Sequence, residues 1–317
     1  CGPMEGTAPA PGEECASSLE DRLRQAFARG ANLPSWKELN ESFAFFKAAD
    51  AEFRRHQPWP LVIDVAGGHG LVGILALIYG KASRIVVIDP FRPQSVDAVM
   101  EAWGDFLPPG MGPGRAESPA TVESAPPPHP PPPPLNAAAA AAGPPGAGPA
   151  APFAYVEERL QAALSREMDR SPGPVLVLAC HACTHLSEGV AAACAARSQR
   201  GAPAHFVVAP CCQRAKPALR GALAALGMDV GAAMDLVLLG KCERMGFDVG
   251  LKLLPSQVTP QNRVLLGRWR TDAQNAAEAA EAARQDDRLA KAYARVHAKP
   301  KARPAEAAAA EAGRGGP

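Results

Sequence analysis

Two kinds of residue in this chain could do chemistry, and both sit where apolar runs end. Leu61-Val62-Ile63-Asp64-Val65-Ala66 runs into Gly67, Gly68, His69 and Gly70, and an apolar helical stretch, Leu71 to Ile78, follows. A strand, a glycine turn and a helix bring backbone N–H groups and a helix N-terminus close to a nucleotide. Further on, Arg84-Ile85-Val86-Val87-Ile88 gives a second strand ending in Asp89. A carboxylate there can accept hydrogen bonds from both hydroxyls of a ribose. The second kind is thiol and imidazole, in Cys180-His181-Ala182-Cys183-Thr184-His185 and Ala209-Pro210-Cys211-Cys212-Gln213. Ligands of an open parallel sheet lie at the C-terminal strand ends, so both segments should face one crevice with Gly67 and Asp89.

Three roles are open to the second set. His181 could remove a proton from an acceptor. Cys183 could line a pocket or act as a nucleophile. His181, Cys183, Cys211 and Cys212 are also the residue types of a tetrahedral zinc site. The pairs lack the usual C-x2-C spacing, however, and adjacent side chains such as Cys211 and Cys212 diverge, so no metal ligands are assigned. Cys194 and Cys242 read as core residues on helices, and Lys47 as a solvent-facing lysine.

A dinucleotide site usually reads G-x-G-x-x-G. Here Asp64 makes the pattern Asp-x-x-Gly-Gly-x-Gly, which resembles motif I of class I S-adenosylmethionine-dependent methyltransferases, with Asp89 in the motif II position. The resemblance implies S-adenosyl-L-methionine as cofactor. Gly67, Gly68, His69 and Gly70 would cradle it, with His69 shaping the turn; Asp89 would hold the ribose. Asp64 would order the loop and reach the amino acid moiety. The His-x-Cys and Cys-Cys segments are similar to a branch that includes the tRNA 2′-O-methyltransferases acting on the acceptor stem and related methyltransferase-like proteins. On that likeness His181, Cys183, Cys211 and Cys212 face the methyl acceptor, and RNA (tRNA or rRNA) is the preferred substrate class. Thr184 stands where the branch has glycine, Gln213 and Arg214 stand where a histidine often follows, and the zinc-finger regions of the tRNA enzymes are missing. Thr259-Pro260-Gln261-Asn262-Arg263 either resembles a Thr-Pro-x-Asn segment of this branch or is a loop turn. The alternatives are a methyltransferase of protein or small molecules, and a non-catalytic binding module that keeps the fold.

The elements that must position these residues alternate. Helical spacing over Trp36–Arg54 is followed by strands at 61–66 and 84–89, a helix at 94–103, and a weak strand at 153–156. Further strands fall at 174–180 and 205–209, with helices at 157–168, 186–197, 217–226 and 232–245. Two last strands, 247–254 and 262–269, are joined by a short loop and are antiparallel. The expected fold is α/β: a class I methyltransferase (Rossmann-like) sheet, mainly parallel with a C-terminal antiparallel hairpin, and helices on both faces.

Composition bounds the rest. The chain has 317 residues and a formal net charge of +1, so there is no global electrostatic footprint for nucleic acid. Residues 105–152 carry proline and alanine runs that cannot build a core, and read as a disordered insertion able to dock a partner protein. Residues 1–30 read as a disordered segment and 272–317 as a charged Ala-rich helix or tail. One domain is left, 31–104 and 153–271. There is no apolar run long enough for a transmembrane helix. Six of the eight cysteines lie between Cys180 and Cys242, in regular elements and not in a small disulfide framework, which suggests an intracellular, reducing compartment. The chain begins at Cys1, so a targeting peptide is not read, and the sequence gives no signal on oligomeric state.

Overall fold

Strands covered on both faces must be apolar on both, and four segments of this chain satisfy that condition. β1 (Leu61–Val65), β2 (Ile85–Ile88), β4 (Val175–Ala179) and β5 (Ala204–Val208) are buried at every residue, while β3 (Phe153–Val156) is half-buried. The computed structural model describes residues 17–56, 58–109, 151–211, 216–259 and 262–271, with scattered residues from 274 to 291. It divides into two units, Cys1–Trp269 and Arg270–Pro317.

The first unit holds a seven-stranded sheet in the order β3-β2-β1-β4-β5-β7-β6. β1 to β5 are parallel. β7 (Arg263–Trp269) runs antiparallel to both β5 and β6 (Phe247–Leu253). The hairpin therefore inserts its second strand against β5 and leaves β6 at the edge. This is the Rossmann-like, mainly parallel sheet with an antiparallel C-terminal hairpin that the sequence led us to expect.

Period-two alternation assigns the faces. Val62, Leu176 and Val207 join a core under α2 (Trp36–Phe53), α3 (Leu71–Ile78) and α4 (Ser95–Ala102). Ile63, Val177 and Val208 join the opposite core under α5 (Leu160–Asp169), α6 (Thr184–Gln199) and α8 (Val230–Arg244). The same alternation turns Asp64 toward α3. α7 (Pro217–Ala225) precedes α8 and is mostly exposed. Among the described residues no single helix is long and apolar enough to cross a membrane.

One expectation is corrected. Residues 1–30 do not all lie outside the fold, because Leu19–Arg29 form a helix, α1, with Leu23, Ala26 and Phe27 buried. Ser18 and Asp21 make a reciprocal capping box that satisfies its first backbone donors. The Trp103 indole donates to the Leu23 carbonyl at 3.0 Å, and Phe27 meets Trp36 edge-on. With α1 on its outer side, α2 is buried over a wide arc that includes both Phe45 and Phe43. Phe106 and Leu107, read as the start of the insertion, also pack against this core; residues 1–16 and 110–150 lie outside the described residues.

In the second unit, the Thr271 hydroxyl caps the backbone N–H of Gln274, and Glu281–Arg284 and Asp287–Lys291 form ion pairs.

Candidate functional site

At the C-terminal end of β1 the chain reverses through a strained turn. Ala66 sits at φ +49°, Gly68 at +47° and Gly70 at +68°. An L-residue at positive φ carries a cost that such turns retain where function needs the shape. A Cβ on Gly68 would meet nothing within 4 Å, so the turn is open on that side. A Cβ on Gly67 would come within 2.8 Å of the Asp64 carboxyl carbon, and one on Gly73 within 2.7 Å of Ile85. Gly73, which the sequence reading did not single out, is what lets α3 lie against β1 and β2.

Asp64 is 1% exposed. One of its oxygens accepts the Gly73 N–H at 2.9 Å, and the other is buried with no hydrogen-bond partner among the described residues. Burial pushes the carboxyl up to about 7; the Gly73 N–H opposes the rise and the charge of Asp89 adds to it. Asp64 thus orders the loop by holding α3, and keeps one oxygen in reserve beside Gly67.

Asp89 accepts the Gly68 N–H at 3.2 Å and the Phe91 N–H at 3.1 Å, one on each oxygen. Each oxygen keeps further lone-pair capacity for a diol. The Tyr155 hydroxyl lies 2.9 Å from the carbonyls of both Gly68 and Phe91, tying β3 to both turns. Burial, with the charges of Asp89, Asp64 and Glu157, raises its pKa and keeps it a donor. His69 uses its ring elsewhere: Nδ1 meets the Ser95 hydroxyl and Nε2 lies 3.4 Å from Glu38. His69 therefore fastens the turn to α2 and α4, in line with a shaping role.

The β4 and β5 ends come together as their sequence position requires. The Sγ atoms of Cys183 and Cys211 are 3.6 Å apart, and the Ala182 N–H donates to the Ala209 carbonyl at 3.1 Å. Cys180, buried at the end of β4, has its thiol pushed well up by burial, then by the charges of Asp64, Glu41 and Cys211. His181 is half-exposed, and its Nε2 lies 3.8 Å from Glu41, a buried α2 carboxylate that the sequence reading missed. Cys212 lies outside the described residues. Among the described residues no group of three His, Cys, Asp or Glu side chains could hold a metal ion. Cys194 and Cys242 are buried core residues.

A cleft of about 570 Å³ runs along α2, lined among others by Arg24, Lys37, Asn40, Lys47 and Gln257. Lys37 lies 3.4 Å from Glu41. Lys47 is exposed but paired with Glu20 at 2.7 Å. Arg263 and Arg268 pair with Asp235 and Glu52 and do not form a cationic patch.

The sequence matches no family model, and no curated protein matches it. Among solved structures, magnesium protoporphyrin IX methyltransferase from Synechocystis PCC 6803 with bound SAH is 14% identical, over 79% of this chain and 94% of that one, with a TM-score of 0.39. A putative RNA methyltransferase from Pyrococcus horikoshii is 12% identical over 80% of this chain and 96% of that one, with a TM-score of 0.36. A cyclopropane-fatty-acyl-phospholipid synthase-like protein from Lactobacillus casei is 12% identical over 79% and 99%, with a TM-score of 0.39. At these scores the case for a ligand rests on the geometry of the turn itself.

Proposed function

We propose that this chain is an S-adenosylmethionine-dependent methyltransferase acting on RNA. The observation that carries the proposal is the pair of carboxylates around the glycine turn. A buried carboxylate oxygen without a partner is costly and fits a site completed by a cationic or hydrogen-bond-donating ligand. Asp64 supplies that oxygen, the open Gly68 leaves room for close backbone approach, and Asp89 stands ready for a ribose diol. These groups suit the ammonium and ribose of S-adenosylmethionine, which when bound supplies an electrophilic methyl group on sulfur.

The chain's own work is then orientation and proton removal. Direct displacement depends on alignment of acceptor and methyl, so a rigid turn contributes to rate. His181, half-exposed at the end of β4, is placed to take the proton of a hydroxyl or amine acceptor. Cys183 and Cys211 wall the same side of the crevice. The RNA acceptor rests on the likeness of the His181–Cys183 and Cys211–Cys212 segments to the tRNA enzymes.

Calorimetry should give saturable binding of S-adenosylmethionine that Asp89→Ala abolishes. Tritiated methyl transfer to total RNA and to total protein then separates acceptors. Label in RNA supports the proposal and label in protein alone redirects it. Label in neither, with cofactor still bound, favours a binding module.

A further inference from the structure

We infer that Glu41 is the positioning residue for His181, and that it fixes Nδ1 as the ring nitrogen that faces the acceptor. The inference deepens the methyltransferase reading and rests on it for the step in which His181 takes a proton.

Glu41 is a charged residue at 4% exposure, flanked on α2 by the buried Leu39, Ser42 and Phe43. Burial of a carboxylate is tolerated only with partners. Its two oxygens face different ones. Oε1 lies 3.4 Å from the Lys37 ammonium, whose side chain is 71% exposed and can exchange the contact for water. Oε2 lies 3.8 Å from His181 Nε2. Cys180 is the other titratable neighbour, and with its thiol raised by burial it adds no negative charge. Less than about 1 Å of approach turns the His181 contact into a hydrogen bond.

A carboxylate opposite one ring nitrogen holds the proton there, because the hydrogen bond at that nitrogen sets the tautomer. With Nε2–H directed at Glu41, the lone pair of the neutral ring is on Nδ1. In a transfer step the acceptor's O–H or N–H bond would break and its electron pair would form the new bond to the methyl carbon, the methyl–sulfur bond breaking with its pair left on a neutral sulfur, while the proton would go to Nδ1. The positive charge that leaves with the proton then resides on an imidazolium facing Glu41. α2 is therefore part of the acceptor machinery as well as the wall of the cofactor turn.

Long-range ¹⁵N–¹H NMR of the full chain, with the His181 signals assigned by their loss in His181→Gln, reads the tautomer without any ligand. The neutral ring should be almost wholly Nε2–H in the wild type, with the preference weakened in Glu41→Gln and reduced to the mixed tautomers of a free histidine side chain in Glu41→Ala. The kcat of Glu41→Gln should fall about tenfold or more while the affinity for S-adenosylmethionine is unchanged. An Nδ1–H ring in the wild type overturns the inference, and that measurement needs no variant to fold. A tautomer indifferent to Glu41 also overturns it. A Glu41-dependent Nε2–H ring in a protein that transfers no methyl group upholds the positioning role and removes the methyltransferase reading alone.

Discussion

Asp64 grips the Gly73 N–H at 2.9 Å with one carboxylate oxygen and buries the other with no partner among the described residues. Its folded pKa, about 7, is raised above the ordinary carboxyl value of 3.8, so the folded state binds the extra proton. Stability from this group is complete below the unfolded value and is lost as pH rises through about 7. Asp64→Asn cannot ionise and still offers an oxygen to Gly73. The variant should be more stable than wild type above neutrality, by on the order of 4 kcal/mol, and no more stable in acid. Denaturant unfolding at the two extremes checks this. The gain should come with weakened S-adenosylmethionine binding, because the amide brings no charge to the ammonium. Calorimetry in buffers of different ionisation enthalpy should also show proton release when the wild type binds cofactor near neutral pH. A Asp64→Asn variant that binds as well as wild type would sink the assigned role of the reserved oxygen.

Tyr155 holds two turns with one hydroxyl. Its oxygen is 2.9 Å from the carbonyls of Gly68 and Phe91, but it has a single proton to share between them. Tyr155→Phe removes that tie and leaves the ring, over which Arg92 sits at 5.5 Å. The loss should cost about 1 kcal/mol of stability and weaken cofactor binding roughly fivefold. Because the hydroxyl titrates far above neutrality, the affinity ratio between the two proteins should be flat across neutral pH. A ratio that changes across this range, or equal affinities, would remove Tyr155 from the site.

Two glycines in helices should respond to alanine in opposite senses. A Cβ at Gly73 would sit 2.7 Å from Ile85, between an α3 and a β2 that cannot both give way, whereas one at Gly189 on α6 meets nothing within 4 Å. Gly73→Ala should cost about 1–3 kcal/mol through overpacking. Gly189→Ala should stabilise by about 0.5–1 kcal/mol through lower backbone entropy in the unfolded chain. Thermal melts of the pair test the close approach directly, and a harmless Gly73→Ala would refute it.

Much of this site was legible because strand ends and glycine turns leave local marks. Leu61–Val65 and Ile85–Ile88 are apolar at most or all positions and end in the turn and in Asp89, so their neighbours could be placed without coordinates. Position at the ends of β4 and β5 was enough to foresee Cys183 and Cys211 as neighbours. Glu41 and Tyr155 left no such mark. Each acts through a contact made across many residues of sequence, Glu41 with His181 and Tyr155 with Gly68. A charged residue on a helix and a tyrosine in a weak strand look the same whether they serve or merely pack. α1 was missed for another reason: Ser18 and Asp21 carry the capping signal, but the Ala/Gly/Pro-rich stretch before them masked it. Only the packing of Leu23 and Phe27 under α2 makes that short helix part of the domain.

His205, on the far end of the sheet from the crevice, should govern acid stability. It is 7% exposed, packs edge-on to Trp59 at 5.5 Å, and buries an Nδ1 with no hydrogen-bond partner among the described residues. Burial lowers its pKa to about 4, helped by the positive charges of His56, Arg55 and Arg268 and opposed by Glu52. A histidine depressed in the folded state is protonated first in the unfolded chain. Stability from it is therefore intact above the ordinary imidazole value of 6.5 and falls as pH drops toward about 4. The full loss is on the order of 3 kcal/mol. Over the same range Asp64 gains its proton in the folded state and pushes the other way, so the wild type should show little net slope from these two groups. His205→Phe removes one side of the balance. Relative to wild type, the variant should become progressively more stable as pH falls from neutrality, whereas Asp64→Asn should become progressively less so. Urea unfolding of the three proteins across this range decides it, and a His205→Phe curve parallel to wild type would show that His205 carries no acid sensitivity.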